Sequence, residues 1–240
     1  MGAMSRAEPV WWSGGTDGRR ARPLVVVVAG ALGDPREQLP LLVRLVRRGY
    51  AVVAVRAPAE LHRAGRSEGL VSGVVDRYAH LALTERSCVV GFDFGGRLAL
   101  GAALRDERIS VVQLVGAPVA RLFDEPELLL SLPGDDLDAL VRITGAARRE
   151  LPEALGGLAL RPEELYALSG LVRVAHAVDD PLTPPQDLAL LKLTLERSEF
   201  RAFPPGTGTT PSGRALRRWL VDGVTRRPRP SSLRAFLTTP

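Results

Sequence analysis

A mostly parallel β-sheet covered on both faces by helices, the α/β class, is predicted by three observations in this chain of 240 residues. The β-branched run Leu24-Val25-Val26-Val27-Val28-Ala29 suits a strand buried on both sides, the habit of parallel sheets flanked by helices. Strand-like and helix-like segments then alternate along most of the sequence, as in a succession of βα units. Finally, Gly91-Phe92-Asp93-Phe94-Gly95-Gly96 stands between a buried strand and a helix containing the small residues Ala99 and Ala102, a place where α/β sheets carry chemistry.

Taken in order, Val10-Trp11-Trp12 followed by Gly14, Gly15, Asp17 and Gly18 predicts an edge hairpin feeding the first core strand. Beyond that strand, 30–35 reads as a loop. Residues 38–48 repeat Leu39, Leu41, Leu42, Leu45 and Val46 at helical spacing before Gly49 closes the turn. The same pattern predicts strands over 51–55, 87–90, 109–115, 171–177 and 199–203, with helices over 69–83, 95–105, 186–193 and 213–224. Between 119 and 170 the alternation stops. Apolar helical stretches at 128–132 and 137–143, without a strand-like run, predict a small helical cap inserted between two strands. One domain over 10–224 is expected. Residues 1–9 are expected to be disordered, with Met1-Gly2-Ala3-Met4 reading as a vector-derived extension. The Pro- and Ser-containing stretch 225–240 is expected to be a flexible tail.

Composition narrows the function classes. A single cysteine, Cys88, excludes an internal disulfide and a thiolate metal cluster. The net charge of +5 comes almost entirely from arginine, since Lys192 is the lone lysine. The Arg-Arg pairs at 19–20, 47–48, 148–149, 217–218 and 226–227 are spread along the chain with no interleaved aromatic residues, a solvated surface rather than a nucleic-acid track. No apolar run approaches the roughly 18 residues of a membrane span, and no hydrophobic signal segment opens the chain. These features predict a soluble, cytoplasmic protein. No metal or organic cofactor is implied.

The segment 91–96 has the G-x-D-x-G form of a nucleophile elbow: small residues let the strand turn abruptly into the helix and lift the central side chain onto a strained tip. Through this motif the chain resembles the α/β-hydrolase superfamily from about Pro9 to Val224. Gly30-Ala31, after the first core strand, matches the position where that superfamily places an oxyanion-hole amide. The run from His176 through Asp179-Asp180-Pro181 to Pro185 looks like its strand-end segment bearing the triad acid, which puts Asp180 at the acid position. Gly116-Ala117-Pro118-Val119 and the short cap are similar to the branch of fermentation-respiration switch proteins and fungal pigment polyketide-shortening hydrolases. Two positions depart from the pattern. Asp93 stands where most members have serine, and Thr209 stands where they have the catalytic histidine.

An elbow aspartate resembles the dehalogenase and epoxide-hydrolase branch, but without a histidine to activate water the covalent ester is a dead end. The helix N-terminus favours the Asp93 anion, whereas burial under a cap favours the acid, and a second carboxyl at Asp180 raises one of the two pKa values. Such a pair suits proton transfer next to a carbonyl, with the oxyanion site stabilising an enolate. Phe92 and Phe94, with Leu32 from the loop of Gly30 and Ala31 and the cap residues Leu129 and Leu130, are expected to line a greasy pocket for a small aromatic, acyl or polyketide-like substrate, free or carrier-bound. Thr209 reads either as a plain loop threonine or as a hydroxyl that orients substrate or water.

Three readings stay open. The first is an atypical enzyme of secondary metabolism, a lyase or cyclase using Asp93 as general acid or base for cyclisation, elimination or isomerisation. The second is an esterase, thioesterase or acyl transferase whose base is relocated to His62 or His176. The third is a non-catalytic descendant that binds a ligand or partner. Asp93 also reads as a retired elbow exposed at a turn, and Asp180 as a local turn residue. His80 belongs to a helix heading for the opposite sheet edge, and Cys88 reads as packing.

Overall fold

A computed structural model of the chain describes residues 9–13, 22–30, 35–56, 69–80, 82–178, 180–204 and 211–225. Six strands run parallel: β2 (Pro23–Ala29), β3 (Ala51–Arg56), β4 (Leu83–Phe92), β5 (Ile109–Val115), β6 (Leu171–His176) and β7 (Ser198–Ala202). An antiparallel edge strand, β1 (Pro9–Ser13), completes the sheet order β1-β3-β2-β4-β5-β6-β7. The expected terminal features at 1–8 and 226–240 lie outside the described residues.

The apolar run at 24–29 alternates strictly between the two faces. Leu24, Val26 and Val28 join one core cluster, with residues from α2 (Gly69–Tyr78), α3 (Phe94–Ala103) and α9 (Pro185–Thr194). Val25 and Val27 join the other, with Leu41, Leu42 and Leu45 of α1 (Leu39–Arg47) and Leu216, Trp219 and Leu220 of α10 (Arg214–Gly223). A strand covered on both sides has no solvent-facing stripe, which is why it reads as continuous Val.

Two local expectations are corrected. β1 is not the hairpin partner of β2; it pairs with β3, Trp11 opposite Ala54 and Ser13 opposite Val52. Both edges of β2 are already taken by β3 and β4, so only the outer edge of β3 is open. The helix expected to reach residue 83 stops at Tyr78, and β4 begins at Leu83 rather than Ser87. Its first four residues are exposed or half-exposed, so no apolar pattern marks them, and they are extended through backbone pairing such as Leu83 N–H to Arg22 O, 2.6 Å.

No strand occurs between Val115 and Leu171. Five short helices fill the interval: α4 (Arg121–Asp124), α5 (Pro126–Leu130), α6 (Gly134–Thr144), α7 (Leu151–Gly156) and α8 (Pro162–Tyr166). Their Leu122, Phe123, Leu129, Leu140, Leu151 and Leu155 continue the α3-side core. The start of this insertion is held by Asp187 of α9, whose fully buried carboxylate accepts the backbone N–H groups of Val119 (3.0 Å), Ala120 (3.1 Å) and Arg121 (3.1 Å). A carboxylate supplied from another helix thus caps the orphan amides at the start of α4. On the same side, the buried Arg97 of α3 donates through Nε to Leu158 O, and burial holds its guanidinium down at about 10, an effect opposed by the Glu164 charge.

On the α10 side one buried charge ties sheet to helix. Gln113, Arg173 and Glu199 are neighbours on one rung of β5, β6 and β7. Arg173, 1% exposed, donates to Glu199 Oε2 (3.0 Å), Gln113 Oε1 (2.6 Å) and Trp219 O (2.8 Å), and its guanidinium stacks 3.7 Å from the centre of the Trp219 ring. Gln113 Nε2 donates in turn to Leu220 O at 2.9 Å. Gly223 is required beside this group, since a Cβ there would lie 1.5 Å from an Arg173 terminal nitrogen. Arg173→Met keeps volume but strands the Gln113 and Trp219 oxygens, so it is expected to cost roughly 3 kcal/mol in urea unfolding. Glu199→Gln, at the solvent-facing end, is expected to cost under about 1 kcal/mol. Equal losses would show that the network is not what holds α10.

Candidate functional site

The site is built on the turn from β4 into α3. Asp93 is the lone non-glycine residue with positive φ among those described (φ 47°, ψ −128°). Such a conformation costs of order 1–3 kcal/mol and persists only where the surroundings over-determine it. Here the surroundings are backbone. A Cβ on Gly95 would lie 2.5 Å from Val28 O, one on Gly91 2.4 Å from Gly96 Cα, and one on Gly96 2.3 Å from Ala117 Cβ. The Asp93 N–H donates to Val115 O (3.0 Å) and its carbonyl accepts from Gly96 N–H (2.9 Å). Strand β4 can therefore pass into α3 against β2 and the end of β5 only with glycine at these positions.

Asp93 is 6% exposed, which corrects the reading of an exposed turn residue. The carboxylate lies against Gly30 at the end of β2, where an added Cβ would sit 2.5 Å from Asp93 Oδ2. The structure therefore brings Gly30 and Asp93 together. Ala31, Leu32, His62 and Thr209 lie outside the described residues.

Asp180 follows the end of β6. With β5 lying between β4 and β6, the two chains that carry Asp93 and Asp180 leave the sheet roughly 10 Å apart, twice the strand spacing. The Asp180 carboxyl is buried. It accepts the Leu182 N–H at 3.0 Å and faces the Thr183 hydroxyl at 3.5 Å. Burial pushes its pKa from 3.8 up to about 6; the Leu182 and Thr183 hydrogen bonds oppose the rise, and the Asp136 charge adds to it. Asp136, in the first turn of α6, is itself raised by burial and by Asp135. The helical insertion thus brings a second carboxyl towards Asp180.

The expected greasy pocket divides. Phe92, last in β4, joins the α1 and α10 core, whereas Phe94, first in α3, joins the opposite core and meets Phe123 edge-on at 5.8 Å. Strand alternation directs residue 92 to the face of Cys88 and Val90, so Phe92 and Phe94 do not wall one cavity. Leu129 is buried in the core and Leu130 is 41% exposed. His176 ends β6 half-buried, its Nδ1 3.3 Å from Ala177 O. His80 is exposed after α2. The Cys88 thiol is buried, and burial pushes it up to about 12, despite the Gln113 hydrogen bond and the Arg173 charge; it is unreactive. Among the described residues no group of three His, Cys, Asp or Glu is arranged to hold a metal ion, and no helix is long and apolar enough to cross a membrane.

Asp136, Asp187 and Arg97 carry no sequence signal for these positions. Asp136 and Asp187 read as ordinary first-turn helix acids. Thr183, in Leu182-Thr183-Pro184, is a plausible find from the Asx-turn habit of Asp180 alone. Nothing in an apolar helix sequence marks Arg97 as reaching a distant carbonyl.

No protein-family model matches the chain, and no curated protein sequence does. Solved structures match. AbyA5 is 26% identical over 76% of this chain, with a TM-score of 0.70, and a structure titled AbyA5 wild type is 24% identical over 86%, with a TM-score of 0.72. This chain spans 56% and 65% of those two chains. A 2,6-dihydroxy-pseudo-oxynicotine hydrolase is 15% identical at a TM-score of 0.68, covering 91% of this chain and 68% of its own. A thioesterase domain from the curacin biosynthetic pathway is 17% identical at 0.53, covering 85% and 91%. With the parallel sheet and the elbow in place, the chain has the α/β-hydrolase fold.

Two stability measurements probe the site. If the backbone dictates the Asp93 conformation, Asp93→Gly should be about 1–2 kcal/mol more stable than Asp93→Ala, because both remove the carboxylate and only glycine tolerates the dihedrals. Asp93→Ala being equal or better would remove the strain argument. For Asp180, a folded pKa above the unfolded one makes the folded state the better proton binder between pH ~4 and ~6, so the stabilising protonation is present at low pH and lost as pH rises through about 6. The rise from 3.8 to about 6 corresponds to ~3 kcal/mol. The stability of Asp180→Asn relative to the native chain should therefore increase by up to that amount from pH 4 to pH 7. A flat difference would show that Asp180 is not desolvated.

Proposed function

We propose that the protein is an enzyme of the α/β-hydrolase fold in which Asp93 transfers a proton next to the carbonyl of a small apolar substrate, in a cyclisation, elimination or isomerisation. The observation that carries this reading is the strained, backbone-enforced burial of a carboxylate at the elbow. A carboxylate of ordinary turn function needs neither the left-handed dihedrals nor the contact with Gly30, and such strain clusters at sites where geometry matters to chemistry.

In this reading the Asp93 carboxylate removes the proton from the carbon next to the carbonyl, and the electron pair moves to the carbonyl oxygen as an enolate. Backbone N–H groups at the N-terminus of α3 are suited to stabilise that oxygen, and the resemblance to the superfamily gives the Gly30-Ala31 segment the same role. Asp180, raised to about 6, is suited to exchange a proton near neutrality, and Thr209 orients substrate or water. The likeness to AbyA5, 26% identical, to a 2,6-dihydroxy-pseudo-oxynicotine hydrolase and to a thioesterase domain is in keeping with a small-molecule substrate of this fold; its aromatic or acyl character is part of the proposal.

Proton exchange gives a direct test. With a panel of 1,3-dicarbonyl compounds in deuterated buffer, the native chain is expected to accelerate loss of the α-proton NMR signal, and Asp93→Asn to lower that rate by roughly 100-fold or more at unchanged circular dichroism. Equal rates in the two proteins would overturn the proposal. Cleavage of nitrophenyl or acyl-thioester substrates that survives Asp93→Asn and is lost in His176→Ala or His62→Ala would replace it with the relocated-base reading.

A further inference from the structure

The sheet edge opposite Asp93 carries a charged feature that the proposed chemistry does not use. α1 runs back from the end of β2 to the start of β3, and α10 packs beside it, so the final turns of both helices lie at the N-terminal edge of the parallel strands. Between them is a groove of about 290 Å³ lined by Arg44, Arg47, Arg48, Arg218, Val221 and Asp222. Four arginines and one aspartate give it a net charge of +3, more than half of the +5 of the whole chain.

Ordinary surface roles account for part of this. Arg44 and Arg47 occupy the last turn of α1, where the helix dipole favours cations. Arg218 does not belong to a last turn, and its partner Asp222 is 3.8 Å away across an exposed helical pair, a contact worth little. Among the described residues no ion pair reaches Arg44, Arg47 or Arg48. Like charges brought together by two helices repel one another.

We infer that the α1–α10 groove docks an acidic helical segment of a partner protein. Guanidinium groups bind carboxylates through paired N–H donors, and arginine is enriched at protein interfaces. Val221, which lines the groove, offers apolar contact to an anchor side chain between the acids, and a sugar-phosphate backbone carries no such anchor. Among the described residues the cluster is also compact, gathered from the end of α1 and from Arg218 to Asp222 of α10, whereas a duplex needs cations spread along a track. Because the groove lies on the edge away from Asp93, the partner tethers the enzyme without covering its site.

The probe is a fluorescein-labelled helical peptide with Glu at i, i+4 spacing and one Leu on the same face, measured by anisotropy against the full chain. Binding is expected at about 50 mM NaCl and at least ~10-fold weaker at about 300 mM. The exposed double variant Arg47→Glu/Arg218→Glu should lower affinity by at least ~10-fold while leaving circular dichroism and dicarbonyl proton exchange unchanged. A Gln-for-Glu peptide that binds equally well, or a double variant that binds like the native chain, overturns the proposal. So does a short DNA duplex that binds more tightly than the peptide and loses affinity in the same variant, which would assign the groove to nucleic acid. The readout is independent of activity, so failure of the catalytic proposal leaves it standing.

Discussion

The close approach of the β4–α3 turn to the end of β2 is the constraint from which the rest of the site follows. Gly95 presses on Val28 O, Gly96 on Ala117, and Gly30 on the Asp93 carboxylate. None of these contacts leaves room for a Cβ, so the chain must turn where it does, and residue 93 must take positive φ whatever side chain it carries. Backbone packing thereby fixes the direction of the Asp93 Cα–Cβ bond before any side-chain rotamer is chosen.

The layers around the turn are joined by a few buried charged groups, each matched to several donors or acceptors. Asp187 gathers three amides at the start of the helical insertion, and Arg173 gathers Gln113, Glu199 and the Trp219 carbonyl beneath α10. Buried charge is costly unless fully hydrogen-bonded, and both groups meet that condition at points where the hydrophobic cores alone do not specify orientation. One orients the insertion over the elbow side, the other orients α10 and with it the arginine groove.

The raised pKa of Asp180 owes most to burial and something to the same insertion. Asp180 is desolvated at the end of β6, and the charge of Asp136 from α6 raises it further. A carboxyl with its pKa moved towards neutrality, on the same sheet edge as a strained carboxylate, is the combination that acid-base catalysis uses. It is assembled from a strand end and a helix more than 40 residues earlier in the chain, so neither segment expresses it alone.

Much of this was legible in the residues themselves. The Val run of β2 announces two covered faces, and Gly91, Gly95 and Gly96 around Asp93 announce an abrupt strand-to-helix turn, because both are local consequences of side-chain size and polarity. What was not legible depends on pairing at a distance. β1 reads as a hairpin neighbour of β2 until the edge occupied by β4 leaves only β3 open, and Phe92 and Phe94 read as one pocket until strand alternation sends them into opposite cores. Asp136, Asp187, Arg97 and the arginine groove give no local signal, since each acquires its meaning from a group on another element. By itself, then, the sequence determined the α/β alternation and a strand-to-helix turn with aspartate at its centre. Only the tertiary structure decided which carboxyl is desolvated, which charges are paired and which are left facing outward, because burial and Coulomb interactions are set by distances in space rather than along the chain.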